Sequence, residues 1–253
     1  MDIATIGGLV IGMGAVAVSF LIDGGQLGAI VRPMPMLLVI GGTIGASIIT
    51  TSAKTLRSVP SMLRAAFSKE PEDPLVTIDK LVKMSEKARH DGILRLEDDL
   101  YGIKDPFFKK AVQLVVDGVE PDVLKTILET EIACIEDRHR KGIILLEKMG
   151  GFSPTLGIIG TVLGLIHTLT SASAEHMAEA IAGAFIATLW GVALANLCYL
   201  PLSDKLRLRH EEELATLDLI MEGIMSIRSG DNSLMVRSKL LSFVAPKLRG
   251  GMI

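Results

Sequence analysis

The sequence is poor in cysteine and aromatic residues and has no excess of positive charge. Of its 253 residues, 4% are aromatic, one is tryptophan, and the formal net charge at neutral pH is −3. Nucleic-acid-binding proteins usually carry a basic stripe with aromatic stacking positions, so that class is excluded. One cysteine, Cys134, lies in a charged region and the other, Cys198, in an apolar run, so they cannot pair. A secreted disulfide scaffold is therefore excluded too.

Catalytic sequence motifs are absent as well. The chain has no GxxxxGKS/T, GxSxG, HExxH or CxxC pattern, and its five histidines are scattered. We therefore expect no enzymatic activity, no catalytic residues, no bound metal and no cofactor.

Four stretches contain no Asp, Glu, Lys or Arg: residues 3–22, 33–53, 150–174 and 180–203. Each is close to or longer than the roughly 20 residues that cross a bilayer core as a helix. The N-terminus lacks the positive region and cleavage site of a secretory signal, so the first stretch should remain in the mature protein. The sequence predicts a membrane protein with four transmembrane helices.

Charged residues are concentrated between the second and third apolar stretches. Residues 54–148 hold 35 of the 55 charged side chains, and charge is too costly in hydrocarbon for this region to lie in the membrane. Eleven Lys and Arg residues flank the spans on one side, whereas the two short connections on the other side contain only Arg32. Because cytoplasmic flanks retain positive charge, we expect both termini and the charged region to be cytoplasmic.

The cytoplasmic regions have helical periodicity. Apolar positions between residues 75 and 85 follow an i, i+3, i+4, i+7 stripe, and prolines at 60, 71, 74, 106 and 121 are expected helix stops. Residues 122–147 should lead without a break into the third span, and a second helix should extend from the fourth. The predicted fold is an all-α membrane protein: 1–53 as transmembrane helices 1 and 2, 54–149 as a cytoplasmic helical domain leading into span 3, 150–203 as transmembrane helices 3 and 4, and 204–253 as a cytoplasmic helical tail.

None of the four apolar stretches contains an acid. Ion carriers normally hold a carboxylate within the membrane, whereas the polar groups of the third and fourth stretches include hydroxyls, one amide and His167. A lone histidine near a span end is more often packed than functional, so it does not replace the acid. If ions pass, another chain must supply the carboxylate.

Glycines recur at four-residue spacing in three spans, as Gly8 and Gly12, Gly41 and Gly45, and Gly160 and Gly164 preceded by Gly157. This spacing lets helix backbones approach closely. The contact could lie within one subunit or between subunits, and the sequence leaves both open.

Two prolines, Pro154 and Pro201, lie at matching depth near the inner ends of spans 3 and 4. Each removes a backbone hydrogen bond and can kink its helix. They could mark static kinks, or they could be bend points through which events in the membrane reorient the cytoplasmic helices.

Three segments together resemble the MotA/PomA stator proteins of the bacterial flagellar motor. They are GFSPTLGIIGTVLGL at 151–165, AFIATLWG at 184–191 and PLSDKL at 201–206. The resemblance covers the whole chain, because the four spans, the large loop and the cytoplasmic tail occur in the same order.

The resemblance implies a torque generator in the bacterial inner membrane, driven by protons or sodium ions. Five copies would surround a dimer of a MotB/PomB-type partner, whose single span carries the ion-binding aspartate. Thr161 and Thr188 match positions that face the ion path, and Pro154 and Pro201 match the prolines tied to coupling.

The segment ARHDGILRLED at 88–98 resembles the part of the family that engages the rotor protein FliG through opposite charges. Arg89 and Glu97 take the matching positions, with Asp98 as a second acid, and His90 stands where some relatives have lysine. Taken as one helix, the segment places Arg89 and Glu97 80° apart on one broad face, without a partner at i±4.

Two other functions are consistent with the sequence. An ExbB/TolQ-like energiser of envelope processes also surrounds an acid-bearing partner, but it typically has three spans and an external N-terminus. A structural scaffold without ion flux is the second alternative.

Overall fold

The computed structural model describes residues 3–67, 72–171, 176–246 and 249. The described residues are helical almost throughout and contain no β-strand, which confirms the all-helical prediction. Numbered in chain order, the elements are α1 (Ile3–Ile22), α2 (Leu27–Ile30), α3 (Pro33–Ile49), α4 (Ala53–Ala66), α5 (Pro74–Asp91), a 3-10 helix (Ile93–Tyr101), α6 (Pro106–Val116), α7 (Pro121–Ser171), α8 (Met177–Arg228) and α9 (Ser233–Leu241).

Three helices, α1, α7 and α8, are long and apolar enough to cross a membrane. Helix α7 runs for 51 residues without a break, as the pattern at residues 122–147 predicts. Helix α3 is apolar but belongs to a shorter class of 10–17 residues. The chain is therefore a membrane protein with apolar helices.

Prolines mark the starts of three helices but do not end every helix. Pro74, Pro106 and Pro121 each occupy the first position of a helix, where the missing amide hydrogen would have no helical partner. The prediction for Pro60 was wrong, because it lies inside α4. Pro60 is exposed, and α4 continues through it although the ring removes the helical hydrogen bond to the Leu56 carbonyl. Pro71 lies outside the described residues.

The chain divides into two compact units, residues 1–69 with 138–209 and residues 70–137 with 210–253. In the second unit, the predicted stripe of α5 is buried through Ile78, Leu81 and Val82, which are at most 5% exposed. These side chains join one core with residues of the 3-10 helix, α6, α9, the start of α7 and the end of α8. Apolar burial against several helices stabilises this unit as in a soluble protein.

Helix α5 ends at Gly92, which has a φ of 90°. Side chains rarely adopt this left-handed conformation, so glycine permits the change of direction. The 3-10 helix that follows is anchored by the buried side chains of Leu96 and Leu100.

A polar cluster secures α9 in the second unit. The Lys239 ammonium donates to Asp231 Oδ2 at 2.8 Å and lies 3.7 Å from Glu222 Oε1. The hydrogen bond from Lys239 lowers the pKa of the Asp231 carboxyl, which stabilises its charged form.

Near the end of α8, the carboxyl of Asp218 lies where its ionised form is disfavoured. Burial raises the pKa of Asp218, and the charge of Glu136 raises it further. Both effects disfavour the ionised form of Asp218 at neutral pH.

Candidate functional site

Thr161 of α7 and Thr188 of α8 lie side by side in the first unit. Their hydroxyl oxygens are 2.6 Å apart, and either can donate to the other. Thr161 Oγ1 also lies 3.1 Å from the Gly157 carbonyl oxygen and 3.2 Å from that of Ala184, and Thr188 Oγ1 lies 3.3 Å from the Gly157 carbonyl. The structure thus brings together the two residues that the family resemblance indicates.

This arrangement determines what the threonine pair offers to a ligand. Each hydroxyl has one hydrogen and two lone pairs. When one threonine donates to the other and the second donates to the Gly157 carbonyl, both hydrogens are used inside the protein. The half-buried oxygens retain only lone pairs, so the pair can accept hydrogen bonds from water or contact a cation.

The close approach of α7 and α8 depends on glycine. A Cβ atom at Gly157 would lie 2.8 Å from the Ala187 carbonyl oxygen and 3.0 Å from Thr188 Cα. A Cβ atom at Gly191 would lie 2.7 Å from the Ser153 carbonyl oxygen and 3.0 Å from Gly157 Cα. The two backbones therefore touch beside the threonine pair.

The other glycines differ in whether they pack against a helix of the same chain. Gly160 and Gly164 pack against α8, because added Cβ atoms would meet Ala187 and Ala184 of the same chain within 3 Å. A Cβ atom at Gly8 or Gly45 would meet nothing within 4 Å. The motif in α7 therefore serves packing within the subunit, whereas Gly8 and Gly45 have no such contact in the described residues.

Two buried serines connect α7 and α8 by hydrogen bonds. Ser153 Oγ donates to the Gly191 carbonyl at 2.9 Å, and Ser203 Oγ donates to the Ile143 carbonyl at 3.2 Å. Sequence reasoning counted both serines among the polar groups of the spans but assigned them no role. A partial signal was available for Ser153, since it lies four residues before Gly157 and so on the same helix face.

The turns that contain the two prolines are packed together. Pro154 lies inside α7, and Pro201 lies inside α8 directly after a π-helical segment, Ala195–Tyr199. A Cβ atom at Gly150, one turn before Pro154, would overlap the side chain of Leu200. The turns around the two prolines are therefore in contact.

Nearer the start of α8, two polar contacts join this helix to the segment between α2 and α3. The indole Nε1 of Trp190 donates to the Ile30 carbonyl at 2.7 Å. The guanidinium of Arg32 lies 3.7 Å from the Glu179 carboxylate and against Gly183, which has no side chain to displace it. The one basic residue of the short connections is thus paired with an acid.

The segment matched to rotor binding is not one helix, which corrects the expectation from the sequence. Arg89 lies in the last turn of α5, whereas Glu97 lies in the 3-10 helix beyond Gly92. The 80° relation between their side chains therefore does not hold. Both are exposed, and within the described residues neither makes an ion pair or a side-chain hydrogen bond.

The neighbouring charges of this segment are partly neutralised. Lys87 Nζ lies 2.9 Å from Asp99 and 3.9 Å from Asp98, and Arg95 lies 3.9 Å from Asp98. The Asp98 carboxylate therefore lies near two basic side chains, whereas Glu97 has no such neighbour. The charges of Arg89 and Glu97 remain available at the surface of the second unit.

Comparison with known proteins places the chain in a family. Residues 6–92 match the family model described as motility protein A N-terminal, and residues 100–218 match that of the MotA/TolQ/ExbB proton channel family. Motility protein A of Borreliella burgdorferi is 34% identical over 98% of this chain and 96% of its own length.

Two solved structures have the same fold. The structure of C. jejuni MotAB has a TM-score of 0.91 and 26% identity, with 97% of each chain covered. The flagellar MotAB stator complex from Bacillus subtilis has a TM-score of 0.89 and 28% identity, with 96% of each chain covered.

The fold and these matches define a helical membrane protein of the ion-channel type. The chain belongs to the motility protein A family, within the MotA/TolQ/ExbB group.

Proposed function

We propose that this chain is a flagellar motor stator subunit that couples inward flow of a cation to torque on the rotor. The similarity to MotAB stator structures along nearly the whole chain carries this proposal. An ExbB/TolQ-like role is disfavoured, because residues 6–92 match the motility protein A model and the full-length relative is a motility protein. The role is not enzymatic.

The proposed topology has four spans, with α3 as the second. A helix of about 17 residues lies at the lower limit for crossing a bilayer, and α3 contains no charged residue. The excess of Lys and Arg on one side supports cytoplasmic placement of both termini and of residues 54–149. The chain would then lie in the bacterial inner membrane.

The proposed assembly is a pentamer of this chain around a dimer of a MotB/PomB-type partner. The MotAB complexes among the matched structures support a partner of this kind. The need for one also follows from the chain itself, whose apolar stretches contain no carboxylate. The partner's aspartate would supply that group.

Thr161 and Thr188 are proposed to line the ion path beside that aspartate. The lone pairs of their oxygens can contact a sodium ion or accept hydrogen bonds from water that carries a proton. Each elementary charge that crosses gains about 2.3 kcal/mol per 100 mV of membrane potential. This is several times the thermal energy, so it can bias a step that repacks a few helices.

Pro154 and Pro201 are proposed to transmit that step. Each lacks the amide hydrogen that would close the preceding turn, and their turns are in contact through Gly150 and Leu200. A bend at one proline would therefore displace the turn that contains the other.

Arg89, Glu97 and Asp98 are proposed to contact the rotor protein FliG. The charges of Arg89 and Glu97 lack neutralising partners in the described residues. This suits a surface that must bind the rotor and dissociate from it repeatedly. Exposed ion pairs contribute only about 0.2–1 kcal/mol each, so such contacts can break at every step.

Reconstitution in vesicles tests the proposal. The purified chain is inserted alone, with its partner, or with a partner whose membrane aspartate is replaced by asparagine. Uptake of sodium and of protons is then measured under an applied potential. We expect uptake only with the intact partner, because only its acid can bind the ion.

Specific uptake by the chain alone would contradict the proposal. Swimming speed measured against sodium concentration, and again with a protonophore, identifies the driving ion.

A further inference from the structure

Ser153 is a polar side chain with no exposed surface in the apolar part of α7. Many hydroxyls in membrane helices bond to the carbonyl one turn earlier in their own helix. Thr43, Ser47 and Thr168 do so here. Ser153 instead donates across to α8, to the Gly191 carbonyl at 2.9 Å.

This bond lies about one turn from the threonine pair on α8 and about two turns from it on α7. Ser153 precedes Gly157 by four residues, and the Gly157 carbonyl lies within hydrogen-bonding distance of both threonine hydroxyls. Gly191 follows Thr188 by three residues. A continuous set of contacts therefore runs from Ser153 through Gly191 and Thr188 to the Gly157 carbonyl.

Ala187 and Ala184 pack against Gly160 and Gly164 at and beyond the threonine pair, whereas on the other side of the pair α7 and α8 touch at Gly157 and Gly191. Neither residue has a side chain that could interlock with the opposite helix. A slide by one residue would displace the helices by about 1.5 Å. That displacement exceeds the roughly 0.4 Å by which the 2.6 Å contact between the threonine oxygens could lengthen and still be a normal hydroxyl hydrogen bond. A directional bond near the pair therefore helps to fix its geometry.

We propose that Ser153 is a positioning residue, which sets the axial register of α7 against α8 and thereby holds Thr188 against Thr161. This inference rests on the proposed role of the threonine pair in the ion path. Ser153 contacts neither threonine hydroxyl and acts only through the register of the helices.

Ser203 provides a matched control in the same pair of helices. It is equally buried and donates to the Ile143 carbonyl at 3.2 Å. However, Ser203 lies 15 residues beyond Thr188, about 22 Å along the helix. Loss of this bond removes a similar contact without acting at the level of the threonines.

The test measures swimming speed against the concentration of the driving ion in cells that carry the full chain and its partner. Ser153→Ala should raise the concentration for half-maximal speed about threefold, the factor expected for an interhelical hydrogen bond of average strength in a membrane. Maximal speed and membrane level should stay unchanged. Ser203→Ala should leave the half-maximal concentration unchanged.

Two further variants make the test specific. Ser153→Cys keeps a weak donor of similar size and should give a smaller shift than alanine. In a Thr188→Ala background, Ser153→Ala should add no further shift, because the residue that it positions is gone.

The outcomes separate this inference from the proposed function. If Thr188→Ala shifts the ion response and Ser153→Ala does not, the positioning role is wrong and the ion path stands. Equal shifts in the two serine variants would also overturn it. If Thr188→Ala leaves the ion response unchanged, the ion-path role fails, and the positioning role fails with it. Should Ser153→Ala not reach the membrane, Ser153→Cys decides by the same criteria.

Discussion

Replacing Gly157 by alanine should separate α7 from α8 at the threonine pair. The added Cβ atom would lie 2.8 Å from the Ala187 carbonyl oxygen and 3.0 Å from Thr188 Cα. Both are backbone atoms, so no side-chain rotation can relieve the contact. Ordinary contact begins at 3.4 Å, and the helices must therefore move apart by about 0.6 Å.

The displacement is small but acts on a short hydrogen bond. Added to the 2.6 Å between Thr161 and Thr188, it gives about 3.2 Å, beyond the usual range for hydroxyl pairs. Overpacking costs about 1–3 kcal/mol, and the higher helix propensity of alanine offsets about 1 kcal/mol. The Gly157→Ala variant should thus fold, with modestly reduced stability and strongly reduced swimming.

Gly151→Ala is the control, because Gly151 lies on the same helix and a Cβ atom added there would meet nothing within 4 Å. It should unfold no earlier than the wild type in detergent, since alanine favours the helix. Both variants are compared by membrane level, thermal unfolding of the purified protein and swimming speed. If Gly157→Ala swims normally and unfolds no earlier than Gly151→Ala, the inferred backbone contact is wrong.

Three further predictions concern other parts of the chain. Pro154→Ala or Pro201→Ala should leave membrane level and assembly intact but abolish swimming, because each restores a helical hydrogen bond at a proposed bend point; loss of assembly would instead indicate a packing role. Reversing the charges of Arg89 and Glu97 together should weaken swimming without lowering the protein level, and matching reversals on the rotor should restore it; normal swimming would refute their role. The raised pKa of Asp218 means that the folded chain binds this proton more tightly than the unfolded chain, so its ionisation lowers stability as pH rises above the ordinary value. Asp218→Asn should therefore raise the unfolding temperature slightly at about pH 7 and not at about pH 3, and an equal gain at both pH values would contradict this.

Much of the helical architecture follows from local patterns. The stripe through Ile78, Leu81 and Val82 predicts which face of α5 is buried, because helical periodicity places these residues together. The absence of charge predicts the apolar helices for a similarly direct reason. The pairing of Thr161 with Thr188 was indicated only by the family resemblance, since no local pattern joins residues 27 positions apart.

Other features depend on contacts that the sequence does not display. The break at Gly92 was missed because the segment was treated as one helix, although a glycine after basic residues is a common helix end; the positive φ shows the turn directly. The π-helical segment of α8 likewise leaves no periodic signal. For Ser153 and Thr43, the same apolar surroundings give opposite results, because only packing decides whether a hydroxyl bonds within its helix or across to another.

The hydrogen bonds of Thr161 and Thr188 bear on how tightly ion binding and movement could be coupled. While both hydroxyl hydrogens point to oxygen atoms of this chain, the pair has no donor to give to a bare carboxylate. A neutral acid can donate to these oxygens, and a carboxylate that carries a cation presents positive charge to them. An empty carboxylate would meet only lone pairs and would be repelled. On the proposed ion path, this surface would admit a loaded partner and disfavour an unloaded one, which would prevent the assembly from advancing without an ion.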